Sequence, residues 1–67
     1  MIKVVINYGP NYFNAELQTK SFKDETAAVE FCRKHHDNIH SINGIPTHGE
    51  QLSHFEIIDA IRNKEDM

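Results

Sequence analysis

Ile2, Val4, Ile6 and Tyr8 alternate with Lys3, Val5 and Asn7, and this period of two predicts a strand over residues 2–8 with one face buried. Gly9-Pro10-Asn11 predicts a reversal, because Pro fixes φ while Gly and Asn accept positive φ. From Phe13 the alternation resumes. Ala15, Leu17 and Thr19 fall on one side and Asn14, Glu16, Gln18 and Lys20 on the other, which predicts an antiparallel hairpin partner whose polar side faces water.

The period then changes. Asp24 is placed as an N-cap, Glu25 suits the positive end of a helix dipole, and Ala27, Ala28, Phe31 and Cys32 recur at helical spacing opposite Glu30, Arg33 and Lys34. A helix is expected over residues 25–36, stopped at Asp37-Asn38. Ile39-His40-Ser41-Ile42 reads as a short strand. Asn43-Gly44 is the favoured type I′ dipeptide, and Ile45-Pro46-Thr47 is a brief return that its proline confines to an edge.

Leu52, Phe55, Ile58 and Ile61 recur at helical spacing, although Phe55, Ile57 and Asp59 also fit a strand. Thr47 and Glu50 at capping-box spacing, with Arg62 and Lys64 near the end, favour a helix within residues 50–63. Residues 64–67 are expected to fray. The pattern predicts an α+β fold: a small antiparallel sheet, made of the N-terminal hairpin and a short strand, packed on one helix, with a second helix at the C-terminus.

Length narrows the functional classes. Sixty-seven residues make a single domain, 1–67, that buries only about 60% of its unfolded surface, so a shallow binding face costs less than a deep cleft. A composition 39% hydrophobic and 25% charged is that of a folded globular chain. The net charge of −3, with the lysines and arginines scattered, argues against nucleic acid as a partner. Cys32 is the lone cysteine and suits a reducing compartment. With no signal-peptide pattern and no apolar run of membrane-spanning length, the expectation is a cytoplasmic protein without membrane contact.

Candidate chemistry is sparse. Cys32, His36 and His40 stand at i, i+4 and i+8, and Cys32 with His36, completed by His48 and His54, would make a zinc-ligand set that relieves the shortage of core. Against it, the paired Cys-x2-Cys signature is missing and Cys32 sits where a small buried residue belongs. A catalytic thiol at Cys32 has His35, His36, Arg33 and Lys34 nearby but no assignable oxyanion donor, and no other catalytic set is complete. No enzymatic activity and no cofactor are expected. Tyr8, Tyr12 and Phe13 bracket the Gly9-Pro10-Asn11 turn as aromatic residues around a loop tip do at protein interfaces, and Glu30, Arg33, Lys34 and Asp37 form the outward face of the helix. A sheet this small also leaves an edge open to a partner or a second copy.

The run from Lys20 through Gly44, with Phe22, the acidic helix start Asp24-Glu25, Ala28, Phe31 and Ile42-Asn43-Gly44, resembles a plan common among very small bacteriophage accessory proteins, which join a β-hairpin, one helix and a further strand. The resemblance is one of pattern over about a third of the chain. It implies a non-enzymatic binder that blocks or redirects a host protein such as a toxin, a polymerase or a defence factor, and it assigns no functional residues. The sequence therefore predicts a protein-binding module that inhibits or modulates a partner protein, with a zinc mini-domain and a homodimer as the alternatives.

Overall fold

The N-terminal alternation forms a strand, β1 (Ile2–Tyr8), in a computed structural model that describes residues 1–63. The expected fraying of residues 64–67 lies outside the described residues. β1 pairs antiparallel along its whole length with β2 (Glu16–Phe22) and on its other side with β3 (Ile39–Ile42). A two-residue strand, β4 (Ile45–Pro46), completes the order β2-β1-β3-β4. Two helices, α1 (Glu25–Lys34) and α2 (His54–Ile61), cover one face of this sheet. Val4, Ile6, Ile39 and Ile42 from the strands meet Ala28, Cys32, Ile57 and Ala60 from the helices in a single buried cluster. Among the described residues the opposite face carries no α-helix. The architecture is the expected small α+β fold.

The orientation of β2 is reversed from expectation. Leu17 is 71% exposed, whereas Gln18, Lys20 and Phe22 lie on the helix side, opposite Ile6, Val4 and Ile2. Phe22 decides this, because its ring packs 5.5 Å from that of Phe31 on α1 and every second residue before it must share its face. Lys20 tolerates the inward direction by laying its stem along the rim, with its ammonium 5.7 Å from the Tyr8 ring centre and 5.4 Å from that of Phe31. The strand also begins later than expected, because Tyr12–Asn14 form a 3-10 turn capped by the Asn11 side chain. Gly9 is required beneath that turn, since a Cβ there would stand 2.5 Å from the Asn14 carbonyl oxygen and 2.6 Å from the Ala15 Cα.

In β3, Ile39 and Ile42 are both buried although three residues apart. Tyr8 pairs with Ile39 and Asn7 with Ser41, which makes His40 the extra residue of a β-bulge. Its Nε2 donates to the Gly9 carbonyl at 3.1 Å, fastening the bulge to the hairpin turn.

The Asp24 side chain caps α1 by accepting from the Ala27 N–H at 2.9 Å. The helix stops at Lys34, two residues short of expectation. His35 leaves helical geometry at φ −112° and ψ 26°, and His36–Asn38 tighten into a 3-10 turn. The His36 ring then donates through Nδ1 to the Gly49 carbonyl at 3.1 Å.

α2 starts at His54 rather than near residue 50, and its capping box is Ser53 with Glu56, not Thr47 with Glu50. Thr47 is buried and donates its hydroxyl to the Ile39 carbonyl at 2.8 Å. The buried face is Ile57, Ala60 and Ile61, with Leu52 and Ile58 beside it, while Phe55 is 77% exposed and outside the stripe it was expected to join. Arg62 closes the helix pair with a fork of two 2.8 Å bonds to the Glu25 carboxylate, which it holds below the ordinary value of 4.5.

Candidate protein-binding surface

Along β1 the side chains that turn away from the core include Asn7, which pairs with Ser41 on β3; Ser41 in turn pairs with Pro46 on β4. These three floor a shallow groove of about 320 Å³ on the face that no helix covers. Tyr12, His40 and His48 wall it. Each arrives by a different local device: Tyr12 from the 3-10 turn, His40 from the bulge, and His48 from a left-handed position.

His48 has φ +56° and Gly49 φ +73°, the second such pair after Asn43 at +48° and Gly44 at +86°. The Glu50 N–H bonds to the Thr47 carbonyl at 2.9 Å, so Thr47–Glu50 is a tight turn of the kind that requires two positive φ values. β3 holds the turn in place, because the Thr47 and His48 N–H groups both donate to the His40 carbonyl and the Gly49 N–H donates to that of Ile39. A non-glycine residue at positive φ stores a modest amount of strain. The left-handed backbone at His48 sets it in the groove wall.

Tyr12 and Phe13 are 67% and 92% exposed, with their rings 5.8 Å apart in an edge-on contact. The Tyr12 ring also stands 6.4 Å from that of His40. Leu17 faces the same uncovered side, next to Asn7. Together these residues make an apolar, aromatic rim beside a groove of mixed polarity.

The expected binding residues do not form one surface. Tyr12 and Phe13 belong to the uncovered side. Tyr8 is half-buried on the helix side, against the rings of Phe31 and His35. Glu30, Arg33 and Lys34 are exposed on the side of α1 away from the sheet, and Asp37 is exposed beside His36. Glu30, Arg33 and Lys34 thus lie on α1, apart from the aromatic rim, whereas Asp37 belongs to the 3-10 turn whose Asn38 carbonyl accepts from the Gly9 N–H at 2.9 Å.

The zinc set is not assembled either. Cys32 and His36 share the wall of a cavity of about 10 Å³, room for about one water molecule, whereas His48 lines the groove on the other side of the sheet and His54 is exposed at the start of α2. Among the described residues no group of three or more His, Cys, Asp or Glu side chains is placed to hold a metal ion. Burial pushes the Cys32 thiol up to about 11, so it stays protonated at neutral pH and lacks the thiolate that nucleophilic chemistry needs. No family model, curated protein or solved structure matches the chain.

Sequence reasoning missed Asn7, Leu17, His40, Ser41, Pro46 and His48 as parts of a surface. One signal was present: His48-Gly49 follows a short edge strand, where a residue tolerant of positive φ beside Gly marks a turn. None of the described helices is long and apolar enough to cross a membrane.

Proposed function

We propose that this chain is a small protein-binding module that inhibits or modulates a partner protein by docking on it. The observation that carries the reading is the concentration of exposed Tyr12, Phe13 and Leu17 beside the groove on the uncovered sheet face. Aromatic side chains held on a rigid turn bury large area at little entropic cost, which suits them to anchor an interface. Gly9 packed under the turn and Asn11 capping it supply the rigidity.

The partner is a protein surface that offers an apolar side chain to the groove and polar groups to His40, His48 and Ser41. Nucleic acid and membrane are not the intended ligands, a reading supported by the scattered cations and the net charge of −3. The module works in the cytoplasm, where a single free thiol is kept reduced.

Affinity capture with the intact chain, run in parallel with Tyr12→Ala, Phe13→Ser and Phe55→Ala variants, tests this. A partner retained by the native chain and by the Phe55 variant, but lost by the Tyr12 and Phe13 variants, is the expected result. A bound protein indifferent to Tyr12 and Phe13 would refute the assignment.

A further inference from the structure

The geometry points to a second copy of this chain as the occupant of the open edge of β2, paired antiparallel about a two-fold axis at Gln18 to give one continuous sheet. This inference is independent of the groove. It begins with Val5, whose N–H donates to the Asn43 side chain at 2.9 Å and whose carbonyl accepts from the Asn43 N–H at 2.7 Å, both on the β3 side.

Backbone groups alternate sides along an antiparallel strand. Val4 and Ile6 therefore bond toward β2, and their partners Lys20 and Gln18 bond back toward β1. Leu17, Thr19 and Ser21 are left directing their N–H and carbonyl groups outward, along an edge that no strand among the described residues covers. That edge is seven residues long, free of proline, and in unbroken register. It is a template for strand addition.

Side chains choose the register. Self-pairing must match outward-bonding residues with one another, which restricts the axis to a few positions. An axis at Lys20 sets Lys20 against the partner's Lys20, and an axis at Thr19 leaves Lys20 against Gln18 and Glu16 against Phe22. An axis at Gln18 sets each Glu16 directly opposite the partner's Lys20, forming two cross-strand pairs of opposite charge on the helix side. On the uncovered side the same register brings Leu17, 71% exposed in the single chain, against the partner's Thr19.

An inward lysine near the middle of an edge strand normally discourages pairing with other strands. In this register it selects one partner, because only a strand with an acidic residue at the matching position satisfies it. The two-fold axis runs perpendicular to the sheet, so both grooves open on the same side of the dimer and remain free.

Sedimentation equilibrium of the full chain over a range of concentrations, with circular dichroism to confirm folding, tests the assignment through a charge swap. The native chain is expected to dimerise, and Glu16→Lys and Lys20→Glu should each raise the dimer dissociation constant by about tenfold or more. The double variant E16K/K20E should restore it. Thr19→Pro should give a folded monomer, since the Thr19 N–H points outward and takes no part in pairing with β1. If Lys20→Glu disturbs the fold by removing the cation from Tyr8 and Phe31, exposed Glu16 carries the test alone. A native chain that stays monomeric at every concentration, or a dimer indifferent to the Glu16 and Thr19 substitutions, overturns the proposal.

Discussion

Asn43 is joined to Val5 twice: its Oδ1 accepts from the Val5 N–H at 2.9 Å, and its own N–H donates to the Val5 carbonyl at 2.7 Å. The side chain thus stands in for a strand residue where β3 has already turned away. Its Nδ2 donates to the carbonyls of Ala60 and Ile61, at 3.2 and 2.7 Å, meeting two of the acceptors that the end of α2 leaves free. One amide therefore ties the central strand to the last turn of the C-terminal helix.

Substituting Asn43 should be the most damaging polar change in the chain. Asn43→Ala leaves the part-buried Val5 N–H and the Ile61 carbonyl without partners, strips the Ala60 carbonyl of its side-chain donor and keeps a strained positive φ, and a loss of about 3 kcal/mol is expected from urea unfolding. Asn43→Gly removes the backbone strain but not the lost bonds, so it should recover only a small part of the loss. Equal stability of the glycine variant and the native chain would show that the side-chain bonds carry nothing.

The helix caps separate two sequence readings. Ser53→Ala should cost about 1 kcal/mol by removing the true cap of α2, while Glu50→Gln should be neutral within about 0.5 kcal/mol. Thr47→Val should cost about 1 kcal/mol for a different reason, the loss of its bond to the Ile39 carbonyl. Thermal melts of the three variants check the order.

Cys32 gives the stability a falling alkaline limb. Its thiol is raised from 9.0 to about 11 by burial, so between those values the folded state holds a proton that the unfolded chain has released. The contribution is fully present below pH 9 and disappears as pH rises through 11, with a total of about 3 kcal/mol. Unfolding free energies measured across that window should fall more steeply for the native chain than for Cys32→Ala. The same protection makes alkylation at pH 8 slow until denaturant is added.

The reversed face of β2 is open to a direct comparison. Leu17→Thr should leave stability within about 0.5 kcal/mol, since the side chain is largely in solvent, whereas Phe22→Ala should cost about 2–4 kcal/mol through the lost packing on Phe31. The opposite ranking would restore the orientation that the alternation of Ala15, Leu17 and Thr19 suggests.

These cases show what the residue pattern carries. The order of elements and the α+β class were legible, because β1, α1 and the Asn43-Gly44 turn each combine a clear period with the right terminating residue. The facing of β2 was not, because Leu17 and Lys20 are individually better suited to the opposite sides, and a single aromatic, Phe22, outweighs both through its contact with Phe31 on the next element. The start of α2 was misplaced because two capping boxes, at Thr47 and at Ser53, compete within one segment, and Thr47 is taken by β3. Of the groove's lining only Tyr12 stood out as a surface aromatic in the sequence, with Phe13 on the rim beside it. The groove's remaining walls depend on a bulge at His40 and a left-handed His48, features of the backbone that leave little trace in composition.

The position of Asn43 before Gly44 has a further consequence for how the molecule ages. In a flexible chain the backbone nitrogen of the glycine, on losing its proton, bonds to the asparagine side-chain carbonyl carbon and ammonia leaves, and water then opens the resulting cyclic imide to an aspartate or isoaspartate. In the folded chain the amide is held on Val5, Ala60 and Ile61, which keeps it out of line for that attack. Each unfolding event releases it, and the carboxylate so formed would face the helix carbonyls it once donated to. Mass spectra should accordingly show amide-to-acid conversion at Asn43 accumulating in denaturant far faster than in native buffer. Molecules converted in this way should refold poorly, making the damage a chemical record of time spent unfolded.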